Sequence, residues 1–340
     1  MRRIMRRIFA GLILFGLLGM TFIDLAADDE WIQKADMPTK RSRLSTSVLD
    51  GKIYAIGGRG GADNSVLATV EEYDLTAKTW TKKSNIRRAR WGLSTCIADG
   101  RIYAIGGYRS GMAIFSIVQV YDPLTEEWTQ KEDIPTPRHS FSTSVVNGKI
   151  YAIGGVTTGD IPTPAVEEYD PATDTWTEKA DMPTARYGLG TDVLNGRIYA
   201  IGGSDDDNTP LPIVEEYNPA SDKWTQKADM PTARYGLETS VADRKIYAVG
   251  GYGVGDVPLS TVEEYEPVTD TWTQKNDMPT ARGYLSTGVV KGKIYAIGGS
   301  DAGDQPLSTV EEYTPEGWPF SVSPQGKLTA TWGEIKRSWQ

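Results

Sequence analysis

An arginine stands at positions 41, 90, 138, 186, 234 and 282, one in about every 48 residues. A guanidinium offers a planar fork of donors that matches carboxylates and other anions, so six of them on one face would form an anion receptor. A structural reading competes with this one. Glutamates recur in step at Glu71, Glu167, Glu215, Glu263 and Glu311, and each could pair with its arginine. Gln119 replaces the glutamate in the second set, which makes Arg90 the arginine expected to be free for a ligand. The flanking residues vary more. After each arginine come Ser42, Trp91, His139, Tyr187, Tyr235 and Gly283, and after each recurrent Gly-Gly pair come Arg59, Tyr108, Val156, Ser204, Tyr252 and Ser300. Arg43, Arg109 and Tyr284 are likewise unrepeated. Aromatic bodies with polar tips suit a peptide or a sugar. The candidate ligand-binding set is therefore Arg43, Arg90, Trp91, Tyr108, Arg109, His139, Tyr187, Tyr235, Tyr252 and Tyr284, although the same side chains could simply fill the mouth of a channel.

Other chemistries find less support. His139 is the only histidine, so no second imidazole exists for a metal pair, and Cys96 is the only cysteine, which excludes an intrachain disulfide and reads as an inert buried thiol. Asp205-Asp206-Asp207-Asn208 loosely resembles a run of calcium ligands. Asp63, Asp160, Asp256 and Asp304 each stand beside Gly or Asn, however, as turn chemistry requires. No metal and no cofactor is expected, and no catalytic residue is assigned, although carboxylates are abundant enough for two to face each other. A net charge of −9 and a pI near 4.9 disfavour nucleic acid and anionic membrane surfaces as partners.

The elements that must position these residues follow from a repeat. Gly51-Lys52-Ile53-Tyr54-Ala55-Ile56-Gly57-Gly58 returns in near copies starting at Gly100, Gly148, Gly196, Arg244 and Gly292. Each unit reads as four short strands. Leu44 to Val48 and Lys52 to Ile56 are joined by Asp50-Gly51, a strong two-residue hairpin signal. A polar loop leads to Val70-Glu71-Glu72-Tyr73, and a short turn leads to a last strand opened by Trp80, with Trp128, Trp176, Trp224 and Trp272 as counterparts. Four-stranded antiparallel units of this length predict an all-β propeller of six blades. The sixth unit lacks its last strand, and the segment opened by Trp31 is expected to supply it, with Trp318 as a rival. Antiparallel order puts the longer loops, between second and third strands and between units, at one end of every blade. That end is the candidate binding face.

Paired glycines, then Tyr, then Trp at these spacings resemble the kelch repeat, over residues 31 to about 318. The resemblance implies a kelch β-propeller at 28–318. It does not imply one activity, since the family includes protein-binding adaptors, a copper radical oxidase and a periplasmic sialic acid mutarotase. The oxidase would need histidine ligands that this chain lacks. Residues 1–27 read as a signal peptide: four arginines, an apolar run from Ile8 to Ile23, and a small-residue site at Leu25-Ala26-Ala27. An uncleaved anchor is the alternative, and the only expected membrane contact. Cleavage would take the net charge to about −12 by removing four arginines and Asp24. Residues 319–340 form a tail without an assigned role. The expectation is an exported monomer, periplasmic or extracellular, that binds a protein or glycan without catalysis. A sugar-modifying enzyme similar to the mutarotase is the alternative.

Overall fold

The computed structural model describes residues 29–317 apart from 61, 62, 64, 110, 112 and 113. The signal segment, Trp318 and the tail lie outside the described residues. Six four-stranded antiparallel sheets are present among the described residues. In the first, Ser45–Leu49, Lys52–Ile56, Val70–Asp74 and Thr79–Lys83 pair in that order, and the next four units repeat it. In the sixth, Ser286–Val290, Lys293–Ile297 and Val310–Thr314 are joined by Glu30–Gln33, with Trp31 opposite Tyr313.

The local sequence explains each strand. Ile53, Tyr54, Ala55 and Ile56 are all buried because their strand is covered on both faces, whereas the outer strand Thr79–Lys83 alternates between exposed and half-buried residues. Asp50 and Gly51 both adopt positive φ, 51° and 71°, the twist that a two-residue hairpin needs. In the fifth unit Asp243 and Arg244 hold the same turn at 47° and 60°, so Arg244 occupies a position that favours glycine. The Gly57-Gly58 exit is set by close approach: a Cβ on Gly57 would lie 2.7 Å from the Arg90 carbonyl, to which Gly58 N–H donates at 3.0 Å.

The core lies between sheets. Each of six apolar clusters joins residues of two successive units; Tyr151, Ile153 and Val166 of the third, for example, pack on Ile198 and Ala200 of the fourth. Tyr295, Ile297 and Val310 of the sixth pack likewise on Ile53, Ala55 and Tyr73 of the first. The recurrent tryptophans fasten these seams from outside. Trp176 stacks on Tyr169 with centroids 5.0 Å apart, and its indole N–H reaches back to the Glu132 carbonyl at 3.1 Å. Trp224, Trp272 and Trp31 donate in the same way to Ala180, Ala228 and Asn276. Among the recurrent tryptophans Trp128 is buried, whereas Trp176, Trp224, Trp272 and Trp31 are half-buried because their outer faces meet solvent.

Candidate functional site

The six recurrent arginines are fully buried. Five are paired with the glutamate of the third strand: Arg41 with Glu71, Arg138 with Glu167 at 2.6 Å, Arg186 with Glu215 at 2.5 Å, Arg234 with Glu263 at 2.6 Å and Arg282 with Glu311 at 2.8 Å. The other oxygen of each glutamate accepts from a threonine hydroxyl two residues before the arginine, as Thr184 to Glu215 at 2.9 Å. Further guanidinium donors turn to main-chain carbonyls such as those of Ala200 and Gly154, while the Nε–H of Arg186 and that of Arg282 have no partner. A buried charge is tolerated where it is paired and hydrogen-bonded in this way, so these arginines pin the inter-unit loop to its sheet. Their role is structural.

The second unit departs twice, with Arg88 in the threonine place and Gln119 in the glutamate place. The expectation of a free Arg90 is corrected. Its side chain is inaccessible and donates to Gln119 Oε1 at 2.8 Å and to the Ala104 carbonyl at 3.1 Å. The amide supplies an acceptor without a charge. Burial and the nearby Arg88 pull the Arg90 pKa down to about 10, and its Nε–H has no partner. Gln119→Glu is therefore expected to raise stability by roughly 1–3 kcal/mol, read as a higher Tm. A Tm that falls or stays put would count against this account of Arg90.

The two variable sets turn out to be partners. Arg41–Ser42 pairs with Arg59–Gly60, and isolated bridges join Trp91 to Tyr108, His139 to Val156, Tyr187 to Ser204, Tyr235 to Tyr252 and Gly283 to Ser300. The next residue in each unit, namely 43, 92, 140, 188, 236 and 284, has positive φ between 49° and 62°. Its N–H donates to the equivalent carbonyl of a neighbouring unit: Gly92 to Arg43, Ser140 to Gly92, Gly188 to Ser140, Gly236 to Gly188, Tyr284 to Gly236 and Arg43 to Tyr284, at 2.7–2.9 Å. These residues frame the mouth of a pocket of about 710 Å³, open space included. It is lined by an apolar residue from each unit, such as Leu93 and Phe141, and by the first residues of the innermost strands, mostly serine and threonine, with Glu238 in the fifth.

Around the mouth the aromatic candidates form two groups. Trp91, Tyr108 and His139 meet with ring centroids 4.9–5.2 Å apart. Tyr187, Tyr235, Tyr252 and Tyr284 make a second chain at 5.6–6.2 Å. Arg43 bridges them, its guanidinium carbon 4.2 Å from the Tyr284 ring and 5.6 Å from that of Trp91. Asp304 fixes it at 3.0 Å and holds Arg59 with its other oxygen at 2.8 Å.

A model of the Attractin/LZTR1 β-propeller family matches residues 24–253 and again 102–321. The chain belongs to that family of kelch-type β-propellers. The solved structure of YjhT is similar to this propeller with a TM-score of 0.73 and 17% identity, covering 82% of this chain and 95% of that one. That likeness concerns the fold, as do matches to some 1100 chains of solved structure, so it selects no activity. No curated protein matches the propeller.

Eight of the ten candidates are thus gathered at the propeller's mouth. Arg90 is not among them, and Arg109 is exposed on the loop beside Tyr108. Within the group, His139, Tyr235 and Tyr252 are buried and pack against neighbouring rings. Tyr235 donates to Asp256, and Tyr252 lies across Gly283 and bonds Ser300 Oγ at 2.8 Å. Burial lowers the His139 pKa to about 4, so the ring is neutral near pH 7. Arg43, Trp91, Tyr108, Tyr187 and Tyr284 keep partial exposure and form the accessible rim. Elsewhere, the Asp205 carboxylate is used by its own turn, accepting the N–H of Asp207 and Thr209. Burial raises the Cys96 thiol to about 12. Glu238 is the pocket residue that sequence reasoning missed. The signal was present, since Glu238 stands where four other innermost strands begin with serine.

Proposed function

We propose that this chain is an exported six-bladed propeller closed by its N-terminal strand, and that it is a non-catalytic binding scaffold for a glycan seated over the axial pocket. The closed ring is supported by the Trp31–Tyr313 pairing and by the hydrogen bonds that pass from mouth residue to mouth residue back to Arg43. Export is supported by the sequence of residues 1–27 alone. The observation that carries the binding reading is the half-exposed Trp91 beside Arg43 and Tyr284, above a hydroxyl-lined wall: rings stack on sugar faces while hydroxyls and a guanidinium meet their polar edges. A glycan array tests it. Trp91→Ala is expected to weaken the best hit at least tenfold, about 1.4 kcal/mol or more, with little change in Tm because the ring is only half-buried. If the array is blank, or if Trp91→Ala binds as well as the parent, the reading fails. The alternative, a sugar-modifying enzyme, draws on Glu238 and Asp192 as two carboxyls in one channel. An anomerisation assay separates the two, since turnover would displace the non-catalytic reading.

A further inference from the structure

The innermost strands open with a Ser-Thr-Ser scheme in which the threonine of one unit bonds the serines of the unit before. Thr95 Oγ1 lies 2.9 Å from both Ser45 Oγ and Ser47 Oγ, and Thr191 Oγ1 is 2.9 Å from both Ser142 Oγ and Ser144 Oγ. Between the fourth and fifth units the scheme breaks. Gly190 and Asp192 stand in the two serine places there, and Glu238 takes the first serine place of the next strand. Thr239, 6% exposed, is left with a buried hydroxyl that has no partner. Its Oγ1 lies 3.0 Å from where a Cβ on Gly190 would be, so it faces the wall position that carries a pocket-lining serine in four of the other units.

Glu238 lines the pocket, and Asp192 stands one layer below, where its carboxylate accepts the Val193 N–H at 2.9 Å and that of Val241. Among the described residues neither forms an ion pair. The groups that share the space with Glu238 are Asp192, uncharged Ser286 and Thr287 of the sixth unit, and Tyr284 and Arg43 at the mouth. Burial keeps the Tyr284 phenol protonated, and Arg43 is already held by Asp304. Burial also raises both carboxyls: Asp192 to about 6, and Glu238, which in addition feels Asp192, to about 8. The pocket lining therefore has one acid, Glu238, with Asp192 beneath it, a set of serine and threonine hydroxyls, and one cation, Arg43, which Asp304 already neutralises at the mouth.

We propose that Glu238 makes the axial pocket a receptor for a hydroxyl-rich ligand bearing a primary ammonium group, with Asp192 adding negative potential from the layer below. This rests on the reading of the pocket as the ligand site. An ammonium offers three donors, one for the Glu238 carboxylate and others for serine or threonine oxygens, and its charge favours the ionised carboxylate that burial disfavours. A neutral polyol offers no such gain. Binding must then be linked to release of the Glu238 proton.

The test is calorimetric titration of the full chain with glucamine and with sorbitol, which differ only by ammonium for hydroxyl. Glucamine is expected to bind at least tenfold more tightly at pH 8, with an affinity that rises about tenfold per pH unit below the Glu238 pKa and with a proton released to buffer. Glu238→Gln, and Glu238→Ser which installs the residue of four other units, should abolish both the preference and the pH slope. Asp192→Asn should move the midpoint to lower pH. Stability gives a second readout. A carboxyl whose folded pKa lies above its unfolded value stabilises fully below the unfolded pKa, so the Tm of the parent relative to Glu238→Gln should fall as pH rises from about 5 to about 8. Equal binding of the two probes, or an unchanged pH slope in Glu238→Gln, overturns the ammonium assignment while leaving the glycan reading to its own array. Calcium that alone stabilises the protein and displaces glucamine would overturn it in favour of a metal.

Discussion

Deleting residues 29–34 is expected to lower the Tm by more than any single substitution at the mouth. The segment supplies the outer strand of the sixth sheet, stacks Trp31 on Tyr313 at 5.0 Å, and ties Lys34 to Glu312 at 3.0 Å. Its main-chain bonds and the half-buried indole together represent a loss on the order of 5 kcal/mol. The deletion would also bare the edge of Val310–Thr314, every residue of which is buried, and its unpaired N–H and C=O groups invite pairing between molecules. The measurement is a thermal melt with light scattering. A truncated protein that melts within a degree or two of the parent and stays monomeric would show that another segment, Trp318 onward, covers that edge.

The second large effect concerns the buried pins. Glu215→Ala is expected to destabilise by about 3–5 kcal/mol, because it strands the Arg186 guanidinium without a counter-charge and removes the acceptor of Thr184. Glu215→Gln should cost distinctly less, since the molecule already contains that arrangement at Arg90 and Gln119. Denaturant melts of the two variants give the comparison. Equal losses would mean that the negative charge carries the whole effect and that an amide of the same size cannot stand in for it.

Much of the fold was legible because its signals are local. Asp50-Gly51 needs only its own two φ angles to make a hairpin, and seven residues from Tyr73 to Trp80 span one turn and bring the two rings together in register. The arginines were harder. Their periodic match with glutamate suggested a pair, but burial of the pair, and the absence of any free Arg90, depended on how the inter-unit loop folds back over its sheet. At the mouth, Tyr235 and Tyr252 read like Trp91 in the text, yet a glycine at 283 lets Tyr252 settle into the rim, and Asp256 anchors Tyr235. Glu238 went unnoticed for a related reason. One letter in a five-residue strand carries little weight until Ser45 and Ser286, far away in sequence, are seen beside it on the same wall.

The two described ends of the chain meet. Asp29 and Glu316 both lie within 4.0 Å of the Lys275 ammonium, and the strands they belong to begin and finish at the end of the sixth sheet occupied elsewhere by the short turn between third and fourth strands. That end is the opposite one from the end that frames the mouth. A group attached at Asp29 or Glu316 would therefore sit on the underside of the sheet, away from the mouth. Immobilisation through a cysteine introduced at Glu316 should thus leave the rim of Trp91 and Arg43 free for capture, whereas coupling through surface lysines would orient the molecule at random.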